Sequence, residues 1–187
     1  MLLEQVHEEI RGCAKCALAQ GRTNAVPGEG SGNARVLFVG EGPGQEEDRL
    51  GRPFVGPAGK LLDELLTHAG LPRPSVFITN IVKCRPPGNR EPQPEEIAAC
   101  RPYLVSQIAL IRPAVLCPLG SPAVRTLLGK DAQIGRLHGR AFKQRGMVYL
   151  PLYHPAAALH QGSLRPTLLE DILALRRILD EQGVRVV

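Results

Sequence analysis

The sequence predicts an α/β fold in which a mostly parallel sheet is covered by helices on both faces. Three observations lead there. Apolar, strand-like runs lie near residues 36, 76, 114 and 148. Stretches with helical spacing of apolar residues separate them. The runs are continuous rather than alternating in polarity, as expected of strands buried on both sides.

Taken in order, Leu2 to Arg11 reads as a short amphipathic helix, and Arg35 to Gly40 as a strand running into Glu41. Gly59 to Ala69, with Leu61, Leu62, Leu65 and Leu66, reads as a helix ended by Gly70. Val76 to Thr79 is a second strand, running into Asn80. Pro94, tolerated in a first helical turn, opens a helix to about Ile111. Pro113 to Leu119 is a buried strand, Ser121 to Leu128 a short helix, and Met147 to Tyr153 a strand running into His154. Pro166 to Gln182 forms the last helix, where Thr167-Leu168-Leu169-Glu170 has the spacing of a capping box. The proline-rich stretch Arg85 to Pro94 reads as a rigid connector within one domain spanning 1–187.

Composition narrows the class of function. With 187 residues and 43% apolar content, the chain is long enough for one well-buried domain and short for two. No run of about 18 apolar residues exists, so no membrane span is expected. Nor does Met1-Leu2-Leu3-Glu4-Gln5 resemble a signal peptide, which leaves a cytoplasmic protein with reduced thiols as the expectation. The net charge of +5 and the predominance of Arg over Lys suit a nucleic acid or phosphorylated ligand; a heat-adapted host would give the same bias.

The strand ends carry the chemistry. In open α/β sheets ligands bind outside the carboxyl ends of the strands, so parallel neighbours would bring Glu41, Asn80 and His154 into one pocket. The turn Gly40 to Gln45 permits close approach of backbone to a ligand. It is not a P-loop, because the Lys-Ser/Thr pair is missing, and the acids that follow would repel a pyrophosphate. Phe54 stands among glycines and prolines, either displayed for stacking on a flat ligand or plugging the top of the core. The Asn80 amide offers a donor and an acceptor side by side, which suits a base edge or, more commonly, a turn.

Four of the five cysteines are placed like metal ligands. Cys13 and Cys16 form a C-x-x-C, and Cys84 and Cys100 flank the proline-rich connector beside basic residues that favour thiolate. Ligand count does not separate zinc from a [4Fe-4S] cluster. Cys117, inside an apolar run, reads as core. An iron–sulfur electron carrier or redox enzyme, and a non-catalytic DNA-binding module with structural zinc, therefore stand as rival readings.

Taken together, Gly40-Glu41-Gly42-Pro43-Gly44-Gln45, the Phe54 loop, Ile78-Thr79-Asn80, the four cysteines and His154-Pro155 resemble the family 4 uracil-DNA glycosylases, the iron–sulfur type of thermophilic bacteria and archaea. The resemblance implies a three-layer α/β/α sandwich on a four-stranded parallel sheet, and a [4Fe-4S] cluster on Cys13, Cys16, Cys84 and Cys100. It implies a monomer that excises uracil from single- or double-stranded DNA during base-excision repair. It also implies that Phe54 stacks on uracil, Asn80 pairs with its O4 and N3 edge, and Glu41, Gly42, Pro43 and Gln45 line the rest. His154 would stabilise charge on O2, and Glu41 would position water. Better-known relatives carry Asp where this chain has Gly42 and Tyr where it has Gly44, so Glu41 or DNA phosphates must activate water, and Glu47 or the loop must exclude thymine. Leu159 or Leu164 would wedge into the DNA stack, and the basic segment Arg136 to Arg145 would grip phosphates or form a solvated hairpin.

Overall fold

A computed structural model describes residues 2–184. Helix α1 (Leu3–Arg11) and the short α2 (Leu18–Gly21) precede edge strand β1 (Glu29–Gly30) and central strand β2 (Val36–Gly40). Helices α3 (Gln45–Leu50) and α4 (Pro57–His68) lead to β3 (Phe77–Asn80). Then come α5 (Pro94–Ile111), β4 (Val115–Pro118), α6 (Ser121–Leu128) and α7 (Ile134–Leu137). A hairpin of β5 (Phe142–Gln144) and β6 (Met147–Tyr149) is followed by α8 (Pro155–His160) and α9 (Arg165–Glu181).

Among the described residues one sheet runs β1-β3-β2-β4-β6-β5. The expected four parallel strands form its centre, in the order β3-β2-β4-β6. An antiparallel strand is added at each edge, making six rather than four. Both additions are short and held by tertiary pairing, so local pattern does not announce them. The α/β class and the layered arrangement stand as expected.

Alternation along β2 sorts the core. Val36 and Phe38 point to the layer built by α4, α8 and α9, whose Leu62, Leu66, Leu168 and Leu175 are fully buried. Leu37 and Val39 point to the opposite layer, against Leu104 and Ile111 of α5 and Ala123 of α6. Helix α1 packs outside α5 through Val6 and Ile10. Cys117 is fully buried in the first layer, as its apolar surroundings predict.

Two local expectations are corrected. The last helix begins at Arg165, two residues before Thr167, and no side chain caps its first turn. Pro166 sits at its start, where fixed φ and a missing N–H suit the first turn, so the Thr167 capping box does not form. The last parallel strand ends at Tyr149 rather than Tyr153, with Pro151 interrupting the ladder. The Leu150 and Leu152 amides still donate to Leu116 and Pro118 carbonyls, so the chain stays in register up to His154.

Candidate active site

Parallel register sets the site. Gly40 pairs with Asn80 across β2 and β3, and the chain then crosses to β4 on the other side of β2. A cleft of about 790 Å³ opens outside the carboxyl ends of these strands, as the rule for open α/β sheets requires. Glu41, Gly42, Pro43, Gln45, Phe54, Asn80 and His154 all line it, so every residue singled out for base binding or catalysis converges there.

Gly40 is the floor. A Cβ at this position would lie 2.5 Å from Asn80 Oδ1 and 2.7 Å from Phe54 Cζ. Only a residue without a side chain lets the amide and the ring approach each other across the strand end.

Asn80 is 1% exposed, and among the described residues its Oδ1 has no hydrogen-bond partner. A buried acceptor left unpaired costs about 1–3 kcal/mol, so this atom awaits a donor from a ligand. Behind it, the Lys83 ammonium donates to the Asn80 carbonyl at 2.8 Å, to Thr79 Oγ1 at 2.5 Å and to Gln107 Oε1 at 2.7 Å. The strand end that aims the amide is thereby fixed from the protein interior.

His154 lies at the N-terminus of α8, its ring stacked on Phe54 with centroids 5.4 Å apart and planes at 27°. The Ala156 amide donates to His154 Nδ1 at 3.0 Å. Accepting through Nδ1 leaves the ring proton on Nε2, so the neutral imidazole presents an N–H. Burial pushes its pKa down to about 4, against a small opposing pull from Glu47.

Phe54 holds a left-handed backbone conformation at φ +49°, which costs a non-glycine residue about 1 kcal/mol or more. Charged side chains fix its neighbours. Glu47 of α3 accepts from the Val55 and Gly56 amides, each at 2.9 Å, and Arg73 donates to the Pro53 and Phe54 carbonyls. The acids after Gly44 thus form a short helix whose carboxylates hold backbone. Asp48, the next of them, accepts from the Thr23 and Asn24 amides. A Cβ on Gly44 would stand 2.8 Å from Glu47 Oε2, so the carboxylate fills the space a side chain at 44 would take.

Glu41 is partly exposed at the cleft. Burial, and then Glu91, push its carboxyl above the usual range while Arg125 opposes them. Of the two apolar wedge candidates, Leu159 is 49% exposed and lines the cleft. Leu164 instead packs against the first core layer. The basic segment splits in its role: His138 pairs with Asp171 at 2.8 Å and packs on Tyr153, while Phe142 to Gln144 build the edge hairpin.

A second, smaller cavity is lined by Cys13, Cys16, Cys84 and Cys100 together. Three of the sulfurs face N–H donors: Lys15 N at 3.5 Å from Cys13, Arg22 Nη1 at 3.0 Å from Cys84 and Lys83 N at 3.3 Å from Cys100. Among the described residues no three His, Cys, Asp or Glu side chains are gathered tightly enough for a single metal ion. Burial raises the Cys84 thiol and takes Cys100 up to about 11, outweighing Arg22 and Lys83. The Lys83 ammonium points toward Asn80, and only its backbone N–H faces a sulfur.

Arg73, Lys83 and the backbone-holding role of Glu47 were not evident from sequence. Their partners lie 10–44, 3–24 and 8–9 positions away respectively, without a local motif to mark them.

Comparison with known proteins places this geometry. The profile of the uracil DNA glycosylase superfamily matches residues 27–175, beginning after Cys13 and Cys16. A type-4 uracil-DNA glycosylase of Thermotoga maritima is 45% identical over 186 residues, covering 97% of each chain. One from Sulfurisphaera tokodaii is 46% identical over 185 residues, covering 94% of this chain and 84% of the relative. A type-5 uracil-DNA glycosylase of Thermus thermophilus is 38% identical, over 55% of this chain and 53% of its own.

Proposed function

The chain belongs to the uracil DNA glycosylase superfamily, with the type-4 enzymes, and from that premise we propose how its cleft excises uracil from DNA. The observation that carries the reading is the trio around Gly40: the orphan acceptor of Asn80, the Nε2–H of His154 and the ring of Phe54.

The glycosidic bond is out of reach within a duplex, so the nucleotide swings out of the stack and enters the cleft. Leu159 fills the gap left in the DNA. Uracil stacks on Phe54. Its N3–H donates to Asn80 Oδ1, and the Asn80 NH₂ donates to O4; the backbone from Gly42 through Gln45 lines the remaining edge. As the C1′–N1 bond breaks, its electron pair passes into the ring and charge grows on O2, which the neutral His154 Nε2–H meets. Glu41, as the carboxylate, orients the water whose oxygen bonds to C1′, and the proton that the water sheds passes to the departing uracil anion. The Glu47 carboxylate, in the space beside Gly44, supports the exclusion of thymine assigned to it.

The four-thiol cavity supports a [4Fe-4S] cluster on Cys13, Cys16, Cys84 and Cys100. Four thiols lining one cavity, with N–H donors aimed at three of them, suit such a thiolate-held centre. Such a centre braces the connector between Cys84 and Cys100, whose Pro86, Asn89 and Arg90 reach the cleft.

A single domain over 1–187, a monomer, a cytoplasmic location and uracil DNA in single- or double-stranded form complete the reading. No described helix is long and apolar enough to cross a membrane. Incubation with a single-uracil duplex, followed by alkali, tests it. Strand breakage at the uracil is expected, and intact strands would overturn it.

A further inference from the structure

Phe54 presents its ring to the cleft from a backbone conformation that a non-glycine residue avoids. Such strain persists only where the surroundings over-determine it. Four consecutive residues, 53 to 56, are held by two side chains of opposite charge. Glu47 takes the two amides on one side, and Arg73 gives hydrogen bonds to the two carbonyls on the other, at 2.5 Å to Pro53 and 3.1 Å to Phe54.

Arg73 is itself held. It is about four-fifths buried, donates to Asp63 at 2.7 Å, and reaches Glu29 at 3.3 Å, which in turn binds Arg52. The first turn of α4 closes the loop from below, since a Cβ on Gly59 would lie 1.9 Å from the Phe54 carbonyl oxygen. A guanidinium is the one side chain that can donate to two adjacent carbonyls and two carboxylates in fixed directions.

We infer that Arg73 is a positioning residue for base excision: by gripping the Pro53 and Phe54 carbonyls, it sets the angle of the Phe54 ring against the flipped base. The inference rests on the uracil-excision reading. Arg73 touches neither base nor DNA; it acts through Phe54.

A double-mutant cycle isolates that route. Arg73→Gln in the otherwise native chain lowers the single-turnover rate of uracil release by roughly 10²-fold, the scale of a small misplacement of a reacting partner. Affinity for undamaged duplex stays unchanged. In a Phe54→Ala background the same substitution changes the rate by less than about twofold. Arg73→Lys, which reaches one carbonyl, falls between Gln and wild type. Equal losses in both backgrounds would overturn the inference, because they would mean a general effect on folding or DNA binding. If Arg73→Gln does not fold, Arg73→Lys carries the same comparison. Hydrogen exchange of the 53–56 segment reads the grip without activity: faster exchange in Arg73→Gln is expected, and unchanged exchange overturns it. If native protein releases no uracil, the glycosylase reading fails, and the exchange result alone decides whether Arg73 holds the loop.

Discussion

His154 Nδ1 accepts the Ala156 amide two residues further along the chain, at 3.0 Å. The turn that begins α8 thus selects the tautomer of the ring. It leaves the Nε2–H free for the cleft, and protonation would have to displace the Ala156 hydrogen bond. With burial added, the ring stays neutral down to a pKa of about 4.

Acid should therefore destabilise the protein through this residue. Between pH 6.5 and about 4 the unfolded chain binds a proton at His154 that the folded chain refuses. The stabilisation is complete above 6.5 and is lost as pH falls through that window, by roughly 3 kcal/mol at most for a single buried imidazole. Denaturant titrations across the window should show the slope, and His154→Gln should flatten it. The single-turnover rate should not rise as pH falls through 6.5. A rise would mean that the cation, not the neutral ring, serves the leaving group.

Asn80→Ala should cost at least about 10³-fold in kcat/KM for uracil, since a site built to pair a polar edge rejects strongly once that pairing is lost. The fold should survive, because the Lys83 contact uses the backbone carbonyl, which alanine keeps. Thermal melting and uracil release, measured on the same preparation, separate the two effects.

Glu47→Ala removes the acceptor of two loop amides and empties the space beside Gly44. Uracil release should slow by roughly tenfold or more through lost positioning. The ratio of uracil to thymine release should fall as well. Assays on matched U·G and T·G duplexes give both numbers, and an unaltered ratio would assign thymine exclusion elsewhere.

Replacing Cys84 by serine removes a proposed cluster ligand that is buried and faces Arg22. Freshly purified native protein should be brown and contain iron, and Cys84→Ser should lose both while melting earlier. Colourless native protein with stoichiometric zinc would return the centre to the mononuclear alternative.

Much of this site could be read from the chain because its parts sit at strand ends. A continuous apolar run followed by Glu41, Asn80 or His154 announces where the run stops, and parallel register brings the stops together. The Cys13–Cys16 pair was visible because C-x-x-C is local, and Cys84 and Cys100 because they flank the proline-rich connector. Helix α3 was not, because Gln45 to Leu50 carries acids without an apolar stripe and is held by its neighbours. The two edge strands are too short to show a period. Arg73 and Lys83 look like ordinary cations until the fold brings carbonyl oxygens up to them.

Gly40 leaves one further consequence. A side chain added at this position would meet the Asn80 amide oxygen and the Phe54 ring before anything else. Replacing this one glycine therefore strikes two separate strand-end groups at once, and neither can be accommodated without dislodging the other.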